Sequence, residues 1–126
     1  MDRGMPGSAH RRQLTVDVRR HGVGAVVSPE GELDHHSADL LSESLEECIE
    51  SGCARIVIDC SRLEFCDSTG LNVLLAARLG AEAKGGRIHL AAMRPLVARV
   101  FEITGAGAVF SLHDTVPAAL AELSTD

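Results

Sequence analysis

Two hydroxyls, Ser68 and Thr69, stand between Asp67 and Gly70 in a chain of 126 residues. Before them runs Arg55-Ile56-Val57-Ile58-Asp59, an apolar stretch expected to be a buried strand. After them runs Asn72-Val73-Leu74-Leu75-Ala76-Ala77, expected to be a buried helix. A hydroxyl at a strand-to-helix junction can cap the helix, because its oxygen accepts from an unpaired first-turn N–H. It can also accept a phosphoryl group, since the same N–H groups and the positive end of the helix dipole favour an anion there. These two roles are compatible at Ser68: the free hydroxyl can cap and a phosphate can use the same donors.

A third chemistry, nucleophilic catalysis, fits poorly. Cys66-Asp67-Ser68-Thr69-Gly70 matches a hydrolase elbow except that Cys66 replaces the first Gly. The elbow also needs a later acid and then a later His. Only Glu82 or Glu102 followed by His89 or His113 supply that order, and both Glu fall in expected helices. An aspartic protease wants Asp directly before Thr-Gly or Ser-Gly, whereas two residues separate Asp67 from Gly70. A phosphatase loop wants Arg where Asn72 stands, and no P-loop is present.

Hydrophobic periodicity supplies the elements that must position this turn. Leu14, Val16 and Val18 alternate with Thr15, Asp17 and Arg19, the pattern of a half-buried strand. Ala25-Val26-Val27 opens a second strand, interrupted by Pro29 and Gly31 and resumed at Glu32-Leu33; Pro29 marks an edge or bulge. Residues 37–50 form an amphipathic helix with Leu41, Leu45, Cys48 and Ile49 on one face and Gly52 at its end. The helix from about Thr69 to Lys84 is apolar nearly all round and is expected to be the most buried. Ile88-His89-Leu90-Ala91 is a further strand. Pro95 opens the next helix, which Gly105 and Gly107 end. Val109-Phe110-Ser111-Leu112 is the last strand, and Asp114 or Thr115 caps a final helix through Leu123. The order predicts an α/β domain with a mixed, mostly parallel sheet of about five strands, about four helices and right-handed crossovers. Residues 1–12 read as a mobile basic tail and 13–126 as the domain.

Composition narrows the function. With no Trp, no Tyr and three Phe, the chain lacks the stacking platforms of single-strand nucleic-acid binders. A formal net charge of −6 argues against phosphate-backbone binding and suits a basic protein partner. Cys48, Cys53, Cys60 and Cys66 match no common zinc spacing and read as buried, reduced thiols. The six His are scattered; His35-His36, the only adjacent pair, reads as surface, with no metal expected. No apolar run is long enough to span a membrane and no secretory segment follows the start, so a cytoplasmic location is expected.

Four ordered motifs resemble the bacterial anti-sigma factor antagonists, which are STAS domains. Asp67-Ser68-Thr69-Gly70-Leu71 resembles their phosphorylation motif, and Gly31-Glu32-Leu33-Asp34 the strand end before the first helix. Ile56-Val57-Ile58-Asp59-Cys60-Ser61 resembles the strand before the phosphorylation loop. Pro95 to Gly105 resembles the helix and glycine turn after the next strand. The matches run from about Leu14 to Leu123.

The resemblance implies a non-enzymatic regulator with no cofactor of its own. Its partner would be an anti-sigma factor with serine kinase activity, using ATP and Mg²⁺. Unphosphorylated antagonist captures that partner and frees a sigma factor; phosphorylation ends the complex, and a protein phosphatase resets it. The first hydroxyl after Asp is the acceptor, which selects Ser68 over the alternative Thr69. Asp34, Asp67, Ser68, Thr69 and Gly70 would form the partner surface, with a weak homodimer as a further expectation. The alternative is a STAS subunit of a larger assembly, a stressosome or a lipid transporter complex, without sigma-factor release.

Overall fold

The computed structural model describes residues 13–123; the expected tail at residues 1–12 lies outside them. Among residues 13–123 six strands form one sheet: β1 (Thr15–His21), β2 (Gly24–Leu33), β3 (Arg55–Asp59), β4 (Leu63–Cys66), β5 (Arg87–Ala91) and β6 (Ser111–His113). Among the described residues four α-helices join or follow them: α1 (Ala38–Glu50), α2 (Ser68–Ala83), α3 (Pro95–Thr104) and α4 (Val116–Leu123). A short 3₁₀ turn spans Ala106–Val109. The main path runs β1-β2-β3-β5-β6, and β1 alone is antiparallel to its neighbour.

The alternation along β3 and β5 assigns the two faces. Ile56, Ile58, Ile88 and Leu90 point into the main core, where Leu41 and Leu45 of α1, Leu74 and Ala81 of α2, and Val97 and Phe101 of α3 meet them. Val57 and Ala91 point the other way, under Ala119 and Leu123 of α4. Full burial of each large aliphatic side chain contributes about 1.5–3 kcal/mol. Three helices therefore cover one face, and α4 covers part of the other. Thr115 caps α4, its Oγ1 accepting the Ala118 N–H at 3.1 Å.

Several expectations need correction. Leu63–Cys66, for which the pattern predicts no strand, is a strand that pairs in parallel with the far end of β2. The last strand lies at Ser111–His113 rather than 109–112. β2 is continuous through Pro29: its first half pairs with β3 and its second half with β4, and Pro29 falls in the gap between them. The missing proline N–H thus lies where neither parallel partner pairs. A register shift follows at Gly31/Glu32, with Gly31 at φ +112°.

The α2 helix is also less enclosed than its composition suggests. Gly70, Leu71, Leu74, Ala77 and Ala81 are buried on one side, while Leu79 is 61% exposed. Of the histidines, His35 and His36 are exposed with rings 4.0 Å apart. His89, by contrast, is 1% exposed, its Nδ1 3.1 Å from Nε2 of His113. All four cysteines are buried, free thiols.

Candidate functional site

The site forms where β2 and β4 end side by side. Leu33 of β2 pairs with Cys66 of β4, so Asp34 and Asp67 leave the sheet at the same level. Asp67 donates its backbone N–H to the Leu33 carbonyl at 3.1 Å, which holds the second turn against the first.

Asp67, not Ser68, is the N-cap of α2. Its backbone is extended, and its Oδ1 accepts the Gly70 N–H at 2.9 Å. Its carbonyl accepts the Leu71 N–H, also at 2.9 Å, which opens the helical ladder. Asp and Ser are comparable caps; the strand bond to Leu33 fixes which of them sits at the boundary. Ser68 and Thr69 then occupy the first two helical positions, and both are exposed. A helix leaves its first N–H groups without partners inside itself. Gly70's is used by Asp67, so those of Ser68 and Thr69 remain to face solvent or an added anion.

Gly70 is buried and closes the site from below. A Cβ there would lie 2.5 Å from Leu33 Cγ and 3.1 Å from the Leu33 carbonyl oxygen. Only glycine lets the first turn of α2 approach the end of β2 so closely.

Asp34 is 6% exposed and works inward. Its Oδ1 accepts the His36 N–H at 2.9 Å and the Ser37 N–H at 3.2 Å. Its own N–H donates to Ser37 Oγ at 3.0 Å, and that hydroxyl donates to the Glu32 carbonyl at 2.9 Å. This Asx turn starts α1. Beside β3, Asp59 Oδ1 accepts the Ser61 N–H at 3.0 Å.

Arg94 adds a tie that the sequence did not single out. Its Nε donates to the Ser61 carbonyl at 2.9 Å, joining the start of α3 to the turn that feeds β4. Arg before a helix-opening Pro was the available signal. Under the site, burial and the neighbouring Asp67 carboxylate push the Cys66 thiol up to about 12. Cys66 therefore stays a protonated, inert wall of the site at neutral pH.

A mixed sheet with one antiparallel edge and an exposed hydroxyl pair on an Asp-capped helix defines the class. The family model described as Mlab, STAS domain, matches residues 9–117. An anti-sigma F factor antagonist of Paenibacillus polymyxa is 32% identical over 111 residues, 87% of this chain and 95% of that protein. The crystal structure of an anti-sigma factor antagonist from Mycobacterium paratuberculosis superposes with a TM-score of 0.81 at 29% identity, over 89% of this chain and 95% of that one. The antagonist SpoIIAA in its unphosphorylated form gives a TM-score of 0.77 at 26% identity, over 89% of this chain and 98% of that one. The Bacillus cell fate determinant SpoIIAA in its phosphorylated form gives 0.69 at 25% identity, over 86% and 98%. This chain belongs to the STAS-domain family of bacterial anti-sigma factor antagonists.

Proposed function

We propose that this chain captures an anti-sigma factor through the surface around Ser68, so releasing a sigma factor, and that phosphorylation of Ser68 by that partner ends the complex. The observation that carries the reading is the division of labour in one turn. Asp67 does the capping, which leaves the Ser68 hydroxyl exposed at the start of a 16-residue helix. The partner supplies the kinase activity and its nucleotide; the antagonist contributes a rigid, presented hydroxyl.

Phosphorylation adds about −1.5 to −2 charges at neutral pH. Those charges arrive beside the Asp67 carboxylate, in an interface that has to strip them of water. The Ser68 and Thr69 N–H groups soften the local cost within the antagonist, so the fold tolerates a phosphate that the complex does not. Asp34 acts by holding the β2–α1 turn, and Thr69 and Gly70 complete the surface by contact and by close packing. A protein phosphatase resets Ser68. The cycle runs in the cytoplasm, where an anti-sigma factor meets a sigma factor. Among the described residues no helix is long and apolar enough to cross a membrane.

Incubation with the cognate kinase and ATP, followed by peptide mapping, tests the acceptor. One phosphate on Ser68, abolished by Ser68→Ala, is expected. Phosphate that persists on Thr69 in that variant would mean that the other hydroxyl is the acceptor. A second reading is a STAS subunit of a larger assembly, such as a lipid transporter complex, without sigma-factor release. Stable copurification with a transporter ATPase, and no kinase partner, would favour it.

A further inference from the structure

Away from the Ser68 surface, the way α1 ends brings two of the four thiols together. Cys53 donates its backbone N–H to the Cys48 carbonyl at 2.9 Å, and Gly52, at φ +95°, donates to the Ile49 carbonyl at 3.4 Å. Such nested bonds around a left-handed glycine form a Schellman motif. In it the residue after the glycine packs on the last helical turn, at the position it bonds to. Those two positions are Cys48 and Cys53. The motif thus sets the two residues side by side, and a disulfide needs Cα atoms about 4.4–6.8 Å apart.

The pair, though buried, stands in the wall of a surface cavity. Cys48 and Cys53, 7% and 3% exposed, line one surface cavity of about 230 Å³ together with Val18, Arg20, Glu47 and Ser51. Cys60 and Cys66 differ: each is 1% exposed, and neither lines that cavity.

We propose that Cys48 and Cys53 form a dithiol–disulfide site that hydrogen peroxide oxidises and a dithiol reductant restores. One thiolate attacks a peroxide oxygen. The O–O bond breaks, the sulfur becomes a sulfenic acid, and the departing hydroxide takes a proton to give water. The second thiolate then attacks that sulfur, the S–S bond forms, and a second hydroxide leaves as water. Two thiols and one peroxide become one disulfide and two waters; the sulfurs lose two electrons and the peroxide gains them. Burial, the neighbouring Cys53 and Glu47 push the Cys48 thiol up, against a smaller pull from Arg20. Formation therefore quickens as pH rises. The product would staple the end of α1 to the chain entering β3.

The test treats the reduced, folded full chain with hydrogen peroxide, quenches it in acid, and maps alkylated peptides. The expected result is loss of two of the four free thiols, an intact mass lower by two hydrogens, and one linked pair, Cys48 with Cys53, that dithiothreitol reverses. In Cys48→Ser or Cys53→Ser the link is absent and the remaining partner thiol gains oxygen instead. The peptide map of the unmutated chain decides the matter even where a variant folds poorly. A link to Cys60 or Cys66, only intermolecular links, or four intact thiols under conditions that fully oxidise dithiothreitol would overturn the proposal.

Discussion

A Cβ placed on Gly70 would lie 2.5 Å from Cγ of Leu33, closer than side chains pack. This contact seats the first turn of α2 on the end of β2, and with it the height at which Ser68 is presented. Gly70→Ala should force Leu33 or the helix to shift, at a cost of about 1–3 kcal/mol, the usual scale of overpacking. Urea denaturation measures it. An unchanged midpoint would show that the turn has room to spare.

Asp67 holds the same turn by its carboxylate. Asp67→Ala removes the bond to the Gly70 N–H and should cost about 0.5–2 kcal/mol. Asn is a comparable cap, so Asp67→Asn should stay close to the parent in stability while removing the charge beside Ser68. Equal losses in both variants would locate the contribution in charge rather than in capping.

Ala92 is the one described non-glycine residue with positive φ, at +61°. It lies between β5 and α3, where its N–H donates to the His113 carbonyl at 3.0 Å. A side chain in the left-handed region costs about 1–2 kcal/mol. Ala92→Gly relieves that strain but loosens the unfolded chain, and a net gain of up to about 1 kcal/mol is expected. Calorimetric melting would show the direction, and a lower Tm would contradict it.

The deep thiols set an alkaline limit on stability. Burial first, then Asp59 and Cys66, push the Cys60 thiol up to about 12; burial and Asp67 do the same for Cys66. Both start from about 9, so between 9 and 12 the folded chain keeps protons that the unfolded chain releases. Stability therefore falls as pH rises through that window, by at most about 1.4 kcal/mol per pH unit for each thiol. With no Tyr and a single Lys, Lys84, few other groups titrate there. Unfolding at pH 8 and 10 under reductant should show the loss, and Cys60→Ala should shrink it; parallel pH curves in the two proteins would refute the assignment.

The frame of this fold was legible because its signals are local. The unbroken apolar run Ile56-Val57-Ile58 marks a strand with two covered faces, and Gly52, Pro95 and Gly105 mark helix ends. What stayed hidden depends on distant partners. Leu63–Cys66 is four residues long and becomes a strand only because the far end of β2 is free to pair with it. Asp67 and Ser68 are both good caps, and only the bond from Asp67 to Leu33 decides between them. His89 sits between Ile88 and Leu90, yet its partner His113 comes from another strand. Leu79 shows that an apolar helix can still leave a large side chain in water.

The central claim is that Ser68 controls partner binding by local charge on an unchanged fold. The most direct measurement titrates unmodified and Ser68-phosphorylated chain against the purified anti-sigma partner, with circular dichroism and Tm recorded for both forms. Helix-end stabilisation of an exposed phosphate is about 0.3–1 kcal/mol, so the two folds and Tm values should nearly coincide while the phosphorylated chain loses affinity. Ser68→Ala should bind like the parent, and Ser68→Asp, with less charge and shorter reach, should bind more weakly. Equal affinity of the phosphorylated and unmodified chains would contradict the account, as would a loss of binding that appears only together with a loss of fold.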